Sequence, residues 1–172
     1  MQYRIFGPVE LPRNEYGLLT RDAGAKAEFW NYVDGFVPSL SEACGCYVIS
    51  VRSVVWYVGV AARQPFKREC FAPHTITKID EAISRGKGNA MLHFLAKITP
   101  QGRFAHPSPN GHRSAAMLET LFIGIGLQRN EHLLNKSDTA ILREIVVPGF
   151  YNSPQGSARA SSVQALKRVM GV

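Results

Sequence analysis

The stretch GCYVISVRSVVWYVG, residues 45–59, restricts the fold of this chain more than any other. Two runs of β-branched and aromatic residues, CYVIS and VVWYVGV, flank Arg52-Ser53, which is the pattern of a β-hairpin. Each run carries a tyrosine close to a glycine, and Tyr47 and Tyr57 stand ten positions apart. Directly opposed residues of an antiparallel pair point to the same face. A connecting loop with an odd number of residues, such as Val51-Arg52-Ser53, sets the two tyrosines opposite each other, phenols side by side. Tyrosine is also common on half-buried strands, so the hairpin alone does not separate a site from a core.

The remaining elements follow from periodicity. Residues 1–42 read as an arm interrupted by Pro8, Pro12 and Pro38, with a short helix in AGAKAEFWNYVDGF. After the hairpin, PFKRECF opens a short helix at Pro65. Ile76, Ile79 and Ile83 then fall at i, i+3 and i+7, a helical stripe that closes at Gly86. MLHFLAKIT is a strand, PQGRFAHPSPNGHR an exposed loop, and SAAMLETLFIGIGLQ a helix apolar on most sides and therefore buried. SSVQALKRVM reads as a terminal helix docked by an apolar face. The expected fold is α/β (α+β), a small, mainly antiparallel three-stranded sheet flanked by helices in the order β-β-α-α-β-α. Its core spans 43–140, with a C-terminal extension at 141–172.

No segment approaches the ~20 apolar residues of a membrane span, and the N-terminus lacks the charged start and apolar run of a signal peptide. Cys44, Cys46 and Cys70 are an odd number, which points to free thiols and a reducing, cytoplasmic setting. The three read as small buried hydrophobes, because a C-x-C on one strand lacks a turn to wrap an ion. The net charge is +7, from 20 Lys+Arg against 13 Asp+Glu, and no long cationic run occurs. A phosphate-binding face assembled from several elements fits that distribution, with Arg63, Lys67 and Lys78 as its candidate nucleic-acid contacts.

Glu119 is the only charged residue between Ser114 and Gln128. A carboxylate on so apolar a helix is costly unless it is paired, exposed or bound to a cation. GCY, then YVG, an arginine near the next helix, a glutamate on a later helix and an asparagine after it: across about residues 43–137 this order resembles the GIY-YIG nucleases. Gly45, Tyr47, Tyr57 and Gly59 match the two tripeptides, with Cys46 and Val58 in place of isoleucines. The resemblance implies a divalent-metal-dependent endonuclease that hydrolyses DNA, with double-stranded DNA as partner and a homodimer as an allowed assembly. It implies Glu119 as the ligand of Mg²⁺ (or Mn²⁺), Arg68 as the family arginine with Arg63 as competitor, and Asn135 as the asparagine. His74 lies where several members carry a residue that helps to activate water.

These residue types suit phosphodiester hydrolysis. A phenol of lowered pKa takes the proton of water, a guanidinium holds the phosphate in its planar fork, and a metal-bound carboxylate stabilises the developing charge. The alternatives are a non-catalytic nucleic-acid-binding domain of the same fold, or a protein-interaction module.

Overall fold

The computed structural model describes residues 2–135, 139–147, 149–153 and 159–171. Contacts divide the chain into two units, Met1–Leu134 and Asn135–Val172. The first unit runs β1 (Gln2–Glu10), α1 (Ala23–Phe36), β2 (Gly45–Val51), β3 (Val54–Ala61), α2 (Phe66–Glu69), α3 (Pro73–Gly86), β4 (Ala90–Ile98) and α4 (Arg113–Arg129). The second holds α5 (Thr139–Glu144) and α6 (Ser161–Met170).

The fold is α+β, with an antiparallel sheet in the order β1-β4-β2-β3. The sheet therefore has four strands, not three, because the expected N-terminal arm supplies β1. Its sequence hid it for a physical reason. β1 is an edge strand that alternates poorly between buried and exposed positions, and Pro8 falls in a register break between Phe6 and Val9. Edges and bulges are where a strand tolerates proline. The helix in the arm forms as expected, started by the Asp22 carboxylate, which accepts a hydrogen bond from the Ala25 amide at 2.7 Å.

Strand alternation sends two sets of side chains to opposite faces. One face carries Tyr47, Ile49, Leu92 and Phe94 into the main core, against Trp30 and Val33 of α1 and the Ile76-Ile79-Ile83 stripe of α3. Each such large apolar side chain contributes ~1.5–3 kcal/mol when removed from water. The other face carries Cys46 and Leu95 under α4, where Ala115, Leu118 and Phe122 meet them. The hairpin is thus covered on both sides, with β3 at the sheet edge.

All three cysteines are buried free thiols. In the second unit, no residue of α6 is buried, and Leu166, Val169 and Met170 are exposed. Among the described residues, no helix is long and apolar enough to cross a membrane.

Candidate active site

The hairpin turns through Arg52 and Ser53, whose φ values of 50° and 60° match the two-residue turn that suits the twist of paired strands. The register is 51↔54 beside the turn and shifts between Ile49 and Ser50, leaving Trp56 as an extra residue on β3. Tyr47 therefore opposes Gly59, and Tyr57 opposes Ile49. The expected direct pairing of the two tyrosines does not occur; they are diagonal neighbours on one face. Their ring centroids lie 6.1 Å apart with planes at 58°. A shared face survives because a two-residue turn and one bulge together change the count by an even number.

Close packing explains why both tripeptides carry glycine. Its ring lies across Gly59, where a Cβ would stand 2.7 Å from Cε1 and closer still to Cζ and Oη. At Gly45 a Cβ would meet the β4 backbone, 3.0 Å from the Leu95 carbonyl carbon and 3.1 Å from Ala96 Cα. The two glycines let a large ring and a neighbouring strand approach the hairpin. Tyr47 is wholly buried, and its hydroxyl shares a 3.1 Å hydrogen bond with Thr75 Oγ1. Burial holds its pKa well above the ordinary phenol value.

Tyr57 is the accessible member of the pair, half-buried on β3. Burial, then the negative charge of Glu119 and, more weakly, that of Glu69, push its pKa up to about 12. A phenol lowered towards neutrality is therefore not what the protein provides, because desolvation and two nearby carboxylates all favour the protonated form. Glu119, half-buried on α4, acts on both faces of the sheet: it also helps burial to push the Cys46 thiol up to about 12.

Glu69 was absent from the sequence-based candidates. On α2 it sits three residues after Phe66 and one before Cys70, both fully buried. Positions i, i+3 and i+4 share a helix face, so Glu69 turns inward. That spacing was visible in PFKREC and is the signal that could have found it. Its Oε1 lies 3.0 Å from His74 Nε2, so His74, exposed at the start of α3, is anchored to a carboxylate that acts on Tyr57.

The two candidate arginines are both exposed but stand in different segments. Arg68, two residues after Phe66, is exposed. Arg63, in the connection after β3, lines a cavity of about 410 Å³ together with Gln64, Glu69, Asn110, His112 and Arg113. His112 is fixed there by Lys97 Nζ, 2.9 Å from Nδ1, and by the His106 carbonyl, 2.9 Å from Nε2. Lys67 pairs with Glu42, and Lys78 lies 3.9 Å from Glu81. Of the nominated cations, Arg63 alone lines that cavity with Glu69. Asn135 belongs to the second unit, where its carbonyl accepts a hydrogen bond from Thr139 Oγ1 at 3.0 Å.

Among the described residues, no three His, Cys, Asp or Glu side chains gather into a metal cage. Compared with protein-family models, with curated proteins and with solved structures, the chain matches none.

Proposed function

We propose that the first unit is a divalent-metal-dependent endonuclease that hydrolyses phosphodiester bonds in DNA, in the manner of the GIY-YIG nucleases it resembles. The observation that carries the reading is the hairpin itself. Tyr47 and Tyr57 share one face, each tripeptide glycine is sterically required, and Glu119 reaches the Tyr57 hydroxyl electrostatically from another element. A buried ring over a glycine can serve folding alone; Glu119 adds a carboxylate, brought from α4, whose charge acts on Tyr57.

The donor set fits a hard ion. Mg²⁺ needs one or two protein carboxylates and completes its shell with water and phosphate oxygens, so Glu119 suffices as its holder without a three-residue cage. Bound there, Mg²⁺ or Mn²⁺ would supply positive charge against the charge that develops on the phosphate. The chain's own residues do the rest. Arg63, at the cavity beside Glu69, receives the scissile phosphate; Arg68 serves the flanking backbone. Tyr57 keeps its proton at neutral pH and acts as a hydrogen-bond donor, with Tyr47 holding its ring in place. The base is His74: with Nε2–H given to Glu69, Nδ1 is the ring's acceptor and takes the proton of the attacking water. The exposed basic residues supply sequence-independent attraction for the DNA backbone.

The second reading, a nucleic-acid-binding domain without catalysis, is favoured by the complete burial of Tyr47 and its hydrogen bond to Thr75. Incubating the full chain with supercoiled plasmid and Mg²⁺, with EDTA as control, separates the two. Metal-dependent nicking supports the nuclease; salt-sensitive binding without any nicking supports the second reading.

A further inference from the structure

On the face of the sheet away from the tyrosine pair, a cavity of about 580 Å³ opens between β1, β2, β3 and β4 below and the C-terminal half of α4 above. That volume lies within the ~300–1,000 Å³ range of small-molecule sites. Its floor is Val48, Val58 and Leu95, and its α4 wall is Phe122 and Ile125. Ile5, 71% exposed, and Ile125, 53% exposed, flank it and leave apolar surface open to solvent. Gly126 of α4 also lines the cavity, close against Val55.

The polar groups are few and of one character. Ser50 Oγ lies 2.9 Å from His93 Nε2, a bond between neighbouring strands at the cavity floor, and burial lowers the His93 pKa so that the ring is neutral. Arg129, exposed in the last turn of α4, brings a guanidinium to the lining. Among the described lining residues none is acidic. An apolar enclosure with one exposed cation at its lining and two neutral hydrogen-bonding groups complements a single negative charge on an apolar body. A doubly charged phosphate would call for more cations than one.

We propose that this cavity is a binding site for a small apolar carboxylate, such as a medium-chain fatty acid. Its chain would lie on Val58, Leu95 and Phe122, and its carboxylate against Arg129. The site is independent of the nuclease reading: it shares α4 with Glu119 but none of the residues that line the cavity with Arg63 and Glu69.

The test is a fluorescence titration of the full chain with dansyl-undecanoate, followed by displacement with decanoate or decanol. The proposal predicts saturable binding, displacement by decanoate, and at least a ~10-fold weaker effect of decanol, because a charge-assisted contact is lost. Arg129→Gln should weaken decanoate ~10-fold and leave decanol unchanged, and Ile125→Trp, which fills the mouth, should weaken both. Both positions are exposed, so the variants keep the fold, which circular dichroism checks. Non-saturable binding, equal displacement by the acid and the alcohol, or decanoate affinity unaffected by either substitution would overturn the proposal.

Discussion

Replacing Gly59 by alanine tests the packing that underlies the hairpin. The new Cβ would fall 2.7 Å from Tyr47 Cε1 and nearer still to Cζ and Oη. Tyr47 is fully buried between the sheet and α3 and is tied to Thr75, so its ring has no free space to enter. Overpacking of this kind costs ~1–3 kcal/mol. The backbone at Gly59 lies outside the left-handed region. Without the ring, Gly→Ala on a strand should therefore be neutral or stabilising, by up to ~1 kcal/mol. Tyr47→Leu removes Cε1, Cζ and Oη; Tyr47→Phe removes only Oη. Urea unfolding of the single and double variants, followed by far-ultraviolet circular dichroism, closes the cycle. Gly59→Ala should cost ~2 kcal/mol in the native and Tyr47→Phe backgrounds and nothing in Tyr47→Leu, a coupling of at least ~1.5 kcal/mol. A cost below ~0.5 kcal/mol in the native background, or the same cost in all three, would refute the reasoning.

Further outcomes follow from the same geometry. In single-turnover cleavage, Arg63→Ala should slow the chemical step by at least ~100-fold with little loss of affinity. Arg68→Ala should mainly weaken binding and reduce the salt slope of log affinity by about one unit; the reverse pattern would return the phosphate to Arg68. Tyr57 has a folded pKa near 12 against an unfolded 10.0, so its contribution to stability is complete below pH 10 and lost as pH rises towards 12. Absorbance at 295 nm should show one slow-titrating phenol missing in Tyr57→Phe, and a half-titration of Tyr57 near pH 10 would contradict its placement. If His74 is the base, its loss should slow the chemical step and leave DNA binding in place. His74→Gln should cleave at least ~100-fold more slowly at unchanged affinity, and a native cleavage rate would remove His74 from the mechanism.

Most of the architecture was legible in the chain because periodicity carried it. The Ile76-Ile79-Ile83 stripe packs on the sheet as its spacing requires, and the hairpin strands lie where β-branched runs meet the Arg52-Ser53 turn. What escaped was what periodicity does not encode. β1 lacked alternation because one edge faces solvent and Pro8 sits at its register break. The two-residue turn and the bulge at Trp56 together moved the tyrosines from direct to diagonal pairing, since a single extra residue leaves no trace in composition. The phenols' raised pKa values depend on burial and on Glu69 and Glu119 arriving from two helices, a sum that a one-dimensional pattern cannot hold. Glu69 was readable in principle, from the i, i+3, i+4 face of a one-turn helix.

The central claim is that Glu119 holds the ion that makes this hairpin a nuclease. The direct test measures cleavage of a DNA duplex and its binding in parallel, at saturating enzyme with Mg²⁺, for the native chain and Glu119→Ala. The account predicts a folded variant that binds DNA as the native chain does, since removing a carboxylate does not weaken attraction for phosphate, and that no longer cleaves. Cleavage by Glu119→Ala at the native rate, or no metal-dependent cleavage by the native chain, would contradict it.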